Sequence, residues 1–463
     1  MTFQALPGFR DFAPEDLAFR NHILAAWRRV ARRYGFEEYD GPPLEPLELY
    51  TAKSGEEIVG QLFDFTDKGG RHVTLRPEMT PTFARMVSAR ANGLRKPIRW
   101  FSVPQLFRYE KQQRGRLREH FQLNCDLVGE AGPLADAEVI ALAIDVCREL
   151  GLTAADFRVR LSDRRVIQAL LVGAGLDPAH HPAALGVVDK LERLDPEARD
   201  RAFAGAGLMD YIDAVVDMAV VRSWDQLEDL AERYRVDVSA TELRQVHDAL
   251  GEMGLYEFVE VDLSIVRGLA YYTGTVFELI ADGERAVAGG GRYDNLIELF
   301  GGPPTPAVGF GMGDVVLGLL LQDKGLMPEG PELMEALSQK PASLRPEAFV
   351  IANEAGEAQV EPLLAKLRRG VESEAWNSRA DKKPWDADRY CSNSGGVSPM
   401  HARRSYKSTK NIGKLLADAR KQHAKFAVII ESDEAAKVEN LDTREDLGTF
   451  PLDGVGAAIA ERL

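Results

Sequence analysis

Residues 14 to 34 read PEDLAFRNHILAAWRRVARRY. Leu17, Leu24, Trp27, Ala31 and Tyr34 fall near one helical stripe, and Arg28, Arg29, Arg32 and Arg33 lie largely off it. Pro14 suits the first helical position, Glu15 and Asp16 suit the positive end of the helix dipole, and Gly35 supplies the stop, so a helix is expected there. In GFEEYDGPPLEPLELY, Pro42 and Pro43 confine any strand to an edge or an end. HVTLRPEMT predicts a short strand interrupted by Pro77. The period is strictly two in FQLNCDLV: Phe121, Leu123, Cys125 and Leu127 share one face, and Gln122, Asn124 and Asp126 share the other. Arg108 and Glu110 share a face on the preceding run. A loop of about ten residues joins the two, which predicts an antiparallel hairpin. Its polar face has the furniture of a site floor, although a solvated face is the commoner meaning of any one such strand.

From about 135 to 258 the pattern is mostly helical, beginning with ADAEVIALAIDVCRELG and its stop at Gly151. His180 and His181 are adjacent, so they do not share a helix face, and no Cys or carboxylate cluster stands beside them; both are read as surface. VRGLAYYTGTVFELI (266–280) is rich in Tyr, Thr, Val and Phe and reads as a strand. Gly289, Gly290 and Gly291 are followed by no G-K-[ST] and lack G-x-G-x-x-G spacing, so they mark a turn or a close backbone approach rather than a phosphate loop. GFGMGDVVLGLLLQDKG predicts a strand end running into a helix that stops near Gly325. Residues 326–344 read as a linker. Beyond it EAFVIA, VEPLLAKLRR, KNIGKLLADARKQ and AKFAVIIES alternate strand and helix, which predicts a small α/β domain with a partly parallel sheet.

Composition changes this picture in three ways. At 463 residues, 45% hydrophobic and 28% charged, the chain is globular and long enough for two or three domains. No 18-residue apolar run and no secretory pattern in MTFQALPGFRDFAP are found, so neither a transmembrane helix nor a signal peptide is expected. Cys125, Cys147 and Cys391 are few and far apart, which argues against a disulfide framework or a zinc site and favours a reducing cytoplasm. The net charge of −15 argues against indiscriminate binding to nucleic acid or membranes, so any polyanion must be held by local basic patches. Two such patches stand out. One is the hairpin loop with Lys111, Arg114, Arg116 and Arg118, followed by His120. The other runs from 401 to 425, where Arg403, Arg404, Lys407, Lys410, Lys414, Arg420, Lys421 and Lys425 face Asp418 alone. A solvated helix face is the plain reading of the second; Ser405, Tyr406, Ser408 and Thr409 among the cations favour a phosphate-contacting surface.

Several of these stretches carry a family resemblance. LPGFRDF, GFEEYDGPPLE, TLRPEMT, FRYEKQQRGRLREHFQ and VRGLAYYTGTVFE, in that order, resemble the signatures of class II aminoacyl-tRNA synthetases, specifically the histidyl-tRNA synthetases. The resemblance covers residues 5 to about 325 and most of 345–463. It implies an α+β architecture: an antiparallel-sheet catalytic core over 1–155 and 259–325, a helical insertion over 156–258, the linker 326–344, and an α/β anticodon-binding domain over 345–463. By the same resemblance Arg108 holds the ATP α-phosphate and the substrate carboxylate, Glu110 reads the adenine amino group, and Arg267 stands at the reacting phosphate and binds histidine. Glu78, Thr80 and Gln122 grip the α-amino group of histidine, Asp126 and Tyr272 read its imidazole, and Arg116 and Tyr271 line that pocket, Arg116 also serving ATP. Arg403, Arg404, Lys407 and Lys410 become candidates for contact with tRNA. The implied activity is ATP-dependent activation of L-histidine to the adenylate and its transfer to the 3′ end of the cognate tRNA. It implies ATP with Mg2+ as substrate, no tightly bound cofactor, no protein cage for a metal, and a homodimer.

The residue types suit that chemistry. A carboxylate attacks a phosphate, and negative charge grows on the equatorial oxygens. A fixed guanidinium stabilises it without reorganising, and one such donor contributes roughly 3 kcal/mol. Two departures from the family pattern stand out. GMGDVVL has Val316 where the family's third motif carries an arginine, with Arg114 or Arg118 as candidate substitutes, and Ala270 stands where an acidic residue is common. Residues 371–400 form a polar insert of unusual length. Two other readings of function remain: a catalytically silent, histidine-sensing regulatory subunit of ATP phosphoribosyltransferase, which Val316 favours, and a nucleic-acid-binding α/β protein without activity, which leaves the pocket residues unexplained.

Overall fold

A computed structural model describes residues 3–51, 60–91, 93–111, 113–191, 194–266, 271–281, 286–327, 346–370 and 399–463. Arg267, Ala270, most of the expected linker and residues 371–398 of the expected insert lie outside them. Three sheets are built from the described strands. The first strands are β1 (Glu37–Glu38), β2 (Leu44–Pro46), β3 (Phe63–Thr66), β4 (His72–Leu75), β5 (Ile98–Ser102), β6 (Gln105–Phe107) and β7 (Glu119–Val128). They continue with β8 (Arg158–Asp163), β9 (Val259–Val261), β10 (Thr275–Ile280), β11 (Ala286–Arg292) and β12 (Ala307–Gly313). The last are β13 (Ala348–Ala352), β14 (Ala402–Arg404), β15 (Phe426–Ile430), β16 (Ala435–Asn440) and β17 (Glu445–Pro451). The largest sheet runs β1-β5-β7-β12-β11-β10-β8-β9, with β6 on the other end of β7. Its interior pairings are antiparallel, and only the flanking β1·β5 and β8·β9 pairs are parallel. This is the α+β architecture that the sequence implied.

The stripe on α1 (Pro14–Arg33) is buried from Leu24 onward, with Trp27, Val30 and Ala31 fully enclosed and Tyr34 closing its end, whereas Leu17 at its start is exposed. Two of the four arginines expected off the stripe depart from the expectation. Arg29 and Arg33 are buried too, because both reach Glu149 at 3.0 and 2.9 Å. Glu149 ends α2 (Pro133–Glu149), which is buried along almost its whole length between α1 and the sheet. A charge off the apolar stripe can be internal when a carboxylate over 100 residues away meets it.

The hairpin forms with Gln105 opposite Phe121 and Phe107 opposite Glu119. Strand β6 stops at Phe107, so Arg108 and Glu110 sit just past it rather than on it. The triple glycine lies inside β11 and not in a turn. Close approach is the reason: a Cβ at Gly290 would run into the Gly309 carbonyl, and one at Gly291 would lie 2.5 Å from the Thr275 carbonyl. The stretch expected to be helical from 156 to 258 opens with a strand instead. β8 joins the large sheet beside β10, and helices start at α3 (Arg164–Gly173). They include α4 (His181–Leu191); His180, in the short turn before it, is exposed as expected, while His181 is buried, its Nε2 3.4 Å from the Leu176 carbonyl.

Strand β12 runs into α5 (Asp314–Asp323), with Gly325 at φ 63° just past its end. In the C-terminal unit β13 is flanked by β14 and β15, both parallel to it, and β16 and β17 extend the sheet antiparallel. Alternation divides β13: Ala348, Val350 and Ala352 pack towards α6 (Val360–Arg369), and Phe349 and Ile351 towards α7 (Ile412–Lys421). Both faces are covered, as parallel strands require. Met400, the last residue of the expected insert, is already core, 1% exposed. Among the described residues no helix is long and apolar enough to cross a membrane.

Candidate active site

The floor of the site follows from the register of the large sheet. Gln122, Asn124 and Asp126 of β7 stand opposite Gly313, Gly311 and Gly309 of β12. The next strand places Gly289 and Gly291 opposite Gly311 and Gly309, and then Glu278 of β10 and Arg160 of β8 complete the row. A strip without side chains is therefore walled by amides and a carboxylate on one side and by a charged pair on the other. The space is taken up from the side: a Cβ at Gly311 would lie 2.8 Å from the Gln122 amide, and one at Gly309 would strike Asp126. Above the strip lies a cleft of about 820 Å³ lined by Arg108, Glu110, Arg116, His120, Gln122, Arg160, Glu278 and Val316, among others.

At one end the guanidinium of Arg108 is held by its Nε donating to the Pro77 carbonyl at 2.9 Å. Two stretches far apart in the chain thus fix one cation. Glu110 is buried and pairs with Arg116 at 2.7 Å. Burial, aided by the nearby cations Arg108 and Arg10, pushes His120 down to about 3, so its imidazole is neutral at ordinary pH. The candidates for replacing the missing arginine are engaged elsewhere. Arg114 pairs with Asp323 of α5 at 2.5 Å. Arg118 lies over the Tyr109 ring at 4.1 Å and reaches the Pro7 and Glu110 carbonyls at 3.4 Å. Val316 itself is 8% exposed and packed into the core. Among the described residues a further cation on the cleft is Arg160, tied to Glu260 and Asp262 at 3.3 and 3.4 Å. Sequence reading missed it because it lies in a stretch taken for helix.

A polar cluster stands on the same face of β7 further along. Glu78 is buried and accepts from the Tyr271 hydroxyl at 3.2 Å. Thr80 begins the short helix Thr80–Ser88 two residues on. The rings of Tyr271 and Tyr272 are 5.0 Å apart, and those of Tyr271 and Tyr293 are 5.9 Å apart. Asp126 is 2% exposed; its Oδ1 accepts from the Tyr293 hydroxyl, and its Oδ2 is buried with no hydrogen-bond partner among the described residues. Burial raises this carboxyl to about 7, against the pull of the Tyr293 bond. The residue joined to Asp126 is thus Tyr293, whereas Tyr272, paired with it in the sequence reading, packs into an apolar cluster with Phe83 and Val276. Nothing in GGGRYDN singles out Tyr293 without the fold.

The N-terminal signature crosses this site. Arg10 donates to Glu119 at 2.6 Å and pairs with Asp314 at 2.9 Å, while Asp314 accepts the Phe121 amide at 2.8 Å. One arginine so ties the start of β7 to the start of α5. Glu119, 1% exposed, also accepts from Gln105 at 2.8 Å.

The C-terminal cations divide. Arg403 donates to the Gly35 carbonyl at 2.7 Å and to Gln422 at 3.2 Å, and burial, with Arg99 nearby, lowers it to about 9. Arg404 is held by Glu361 and by Glu357 at 2.9 Å. Neither is a free surface cation, contrary to the sequence reading. Lys407 and Lys410 are exposed and pair with Asp418 at 2.9 Å and Glu357 at 2.6 Å. No three His, Cys, Asp or Glu side chains converge as a metal site among the described residues.

Comparison with known proteins places these features. The family description "Histidyl-tRNA synthetase" matches residues 8–313. A histidine–tRNA ligase of Opitutus terrae is 51% identical over 334 residues, 71% of this chain and 76% of the relative. The crystal structure of histidyl-tRNA synthetase from Nostoc sp. PCC 7120 superposes over the full length of both chains with a TM-score of 0.61 at 21% identity. An ATP phosphoribosyltransferase regulatory subunit/histidyl-tRNA synthetase from Bacillus halodurans superposes with a TM-score of 0.60, also at 21% identity, over 93% of this chain and 98% of its own. At that identity the superpositions speak for the fold alone.

Proposed function

The chain belongs to the histidyl-tRNA synthetase family, and from that premise we propose how its cleft performs histidine–tRNA ligation. L-Histidine is activated with ATP to histidyl-adenylate and passed to the 3′ end of its tRNA. The observation that carries the assignment of the pocket is Asp126. A buried carboxylate with one oxygen held by Tyr293 and the other without a partner among the described residues is a costly arrangement. It is repaid by a ligand that brings an N–H to that oxygen, and the imidazole of histidine does so. An apolar side chain of similar size leaves the oxygen unpaired, which is the basis of discrimination. Glu78, held by Tyr271, together with Thr80 and Gln122 is proposed to receive the protonated α-amino group.

In the first step an oxygen of the histidine carboxylate forms a bond to the α-phosphorus of ATP as the bond to the β-phosphate oxygen breaks and pyrophosphate leaves. Arg108, already oriented by Pro77, neutralises the charge on the equatorial oxygens. Arg267 is proposed as the second cation at this centre. Glu110 reads the adenine amino group, and Arg116 turns towards the nucleotide. Mg2+ enters with ATP as part of the substrate. In the second step a hydroxyl at the tRNA 3′ end attacks the adenylate carbonyl and AMP leaves. Residues 1–163 and 259–325 form the catalytic core, with β8 in its sheet, 164–258 the helical insertion and 345–463 the anticodon-binding domain. Lys407 and Lys410, as exposed cations, are the proposed contacts to tRNA there, with Arg403 and Arg404 holding the surface in shape. A homodimer in the cytoplasm completes the reading.

Val316 is the one observation that favours the regulatory alternative. Arg108, Glu110 and the C-terminal unit weigh against it. Exchange of labelled pyrophosphate into ATP separates the two: exchange that requires histidine is expected, whereas measurable histidine binding without exchange would establish the regulator.

A further inference from the structure

The strand-to-helix junction at Asp163–Arg165 does something that the reaction scheme does not use. Arg164 is the first residue of α3, and its guanidinium spans two carbonyls of another segment. Nε and Nη2 donate to the Val266 carbonyl at 3.0 and 2.8 Å, and Nη1 donates to the Tyr272 carbonyl at 3.0 Å. The Arg164 amide donates to the Gly274 carbonyl at 3.1 Å. Of these acceptors, Val266 and Tyr272 lie outside the ladder of the large sheet, so one side chain replaces the pairing that a strand neighbour gives elsewhere. Arginine suits this role because its planar fork reaches two acceptors at fixed angles, while lysine offers a point charge.

What the clamp holds is the tyrosine pair. The Tyr272 carbonyl is fixed by Arg164, and the residue before it, Tyr271, directs its hydroxyl to Glu78 at 3.2 Å. The Tyr271 ring in turn lies 5.9 Å from the Tyr293 ring. The neighbouring Arg165 serves the junction differently, pairing with Asp163 and with Glu242, each at 2.5 Å.

We propose that Arg164 is a positioning residue for amino-acid selection, setting Tyr271 against Glu78 and so tying the first helix after β8 to the histidine pocket. It touches no substrate atom and acts through the Tyr272 carbonyl. The proposal rests on the ligase reading above, in which this pocket receives histidine.

The test measures histidine binding by calorimetry, and the KM for ATP in pyrophosphate exchange, on the full chain. Arg164→Lys is expected to weaken histidine binding about tenfold, the effect of one lost hydrogen bond of ordinary strength, with the ATP KM within about twofold. Arg164→Gln serves if the lysine variant does not fold. Tyr271→Phe alone is expected to weaken histidine binding, and adding Arg164→Lys to it to weaken binding further by less than about twofold, because the two act along one path. Arg165→Lys loosens the same junction without touching either carbonyl and is expected to leave histidine binding within about twofold. Histidine binding unchanged in Arg164→Lys overturns the proposal. So do fully additive effects with Tyr271→Phe, or an Arg165→Lys variant as weak as Arg164→Lys, since both indicate general loosening. A wild-type chain that binds no histidine overturns the ligase reading and this proposal together; normal wild-type binding with an indifferent Arg164→Lys overturns this proposal alone.

Discussion

Tyr293→Phe removes one oxygen from the pocket and leaves the ring. Asp126 is 2% exposed and accepts from that hydroxyl, and burial already lifts its carboxyl to about 7. A hydrogen bond to a charged group is worth about 1.5–3 kcal/mol, and about 1.4 kcal/mol is one pKa unit, so the variant's carboxyl moves up by roughly one to two units. For a rise of about 1.5 units, the ionised fraction at pH 7.5 falls from about three quarters to about one tenth. If ionised Asp126 receives the imidazole N–H, kcat/KM for histidine falls in the same proportion, because that parameter reports groups of the free enzyme. The substrate's own imidazole and amino group titrate over the same range. The quantity to measure is therefore the ratio of wild type to variant at each pH, in which the substrate's titration cancels. Pyrophosphate exchange from pH 6 to 9 is expected to give a ratio of about 30 at pH 6, about 8 at pH 7.5 and close to one at pH 9. A ratio that stays flat, or that grows with pH, refutes the reasoning: the hydroxyl then acts through packing or through the substrate and not through the Asp126 charge.

Other outcomes follow from the same geometry. The Asp126 carboxyl titrates higher in the folded chain than its ordinary range, so wild-type stability falls as pH rises from about 4 to about 7; Asp126→Asn is expected to abolish histidine-dependent exchange yet raise Tm more at pH 8 than at pH 5, and an equal shift at both would remove the assigned burden. Arg368→Ala takes one of two arginines, at 2.6 Å, from buried Glu138, the other being Arg99 at 2.8 Å; a loss of about 3 kcal/mol in denaturant unfolding is expected, and a loss below about 0.5 kcal/mol, the range of an ordinary surface change, would contradict it. The Lys407→Ala/Lys410→Ala variant is expected to lower tRNA charging and flatten its salt dependence while pyrophosphate exchange is kept; equal damage to both reactions would move the tRNA surface elsewhere. Val316→Arg forces a cation into an 8% exposed site and is expected to cost about 1–3 kcal/mol of stability without lowering the KM for ATP; a tighter KM with an unchanged Tm would show that the pocket wants the missing charge.

The legible parts of this chain are those in which one segment announces itself. The α1 stripe, the alternation along β7, the passage from β12 into α5 and the C-terminal alternation of strand and helix each rest on local periodicity and on Gly or Pro punctuation. What stayed hidden depends on partners distant in the chain. Arg29 and Arg33 look solvated until Glu149 is brought to them. Arg404 looks like a surface cation until Glu357 and Glu361 meet it. Three glycines have little strand propensity of their own, yet β11 is a strand because the backbones of β10 and β12 approach too closely for side chains. The candidate site divides the same way. Alternation put Gln122 and Asp126 on one face correctly, but only the fold adds Tyr293 and Arg160.

The absence of an arginine at position 316 becomes less puzzling once the N-terminal signature is placed. Asp314 opens α5 by accepting the Phe121 amide and pairing with Arg10, and Arg10 also holds Glu119. The start of this helix is therefore committed to fastening β7, with the carboxylates and the cation consumed internally. A valine two residues on adds an apolar side chain to the wall of the cleft, and a less polar wall increases the worth of a charge beside it. One such charge is Arg108, set by the Pro77 carbonyl. Arg116 is balanced by Glu110 at 2.7 Å and Arg160 by Glu260 at 3.3 Å. On the proposed reading, an incoming triphosphate meets, among the described residues, one pre-aimed cation and two whose carboxylate partners it must outcompete. Binding energy spent on that exchange is recovered where the α-phosphate gains charge, so fewer cations at rest are compatible with strong stabilisation in the transition state.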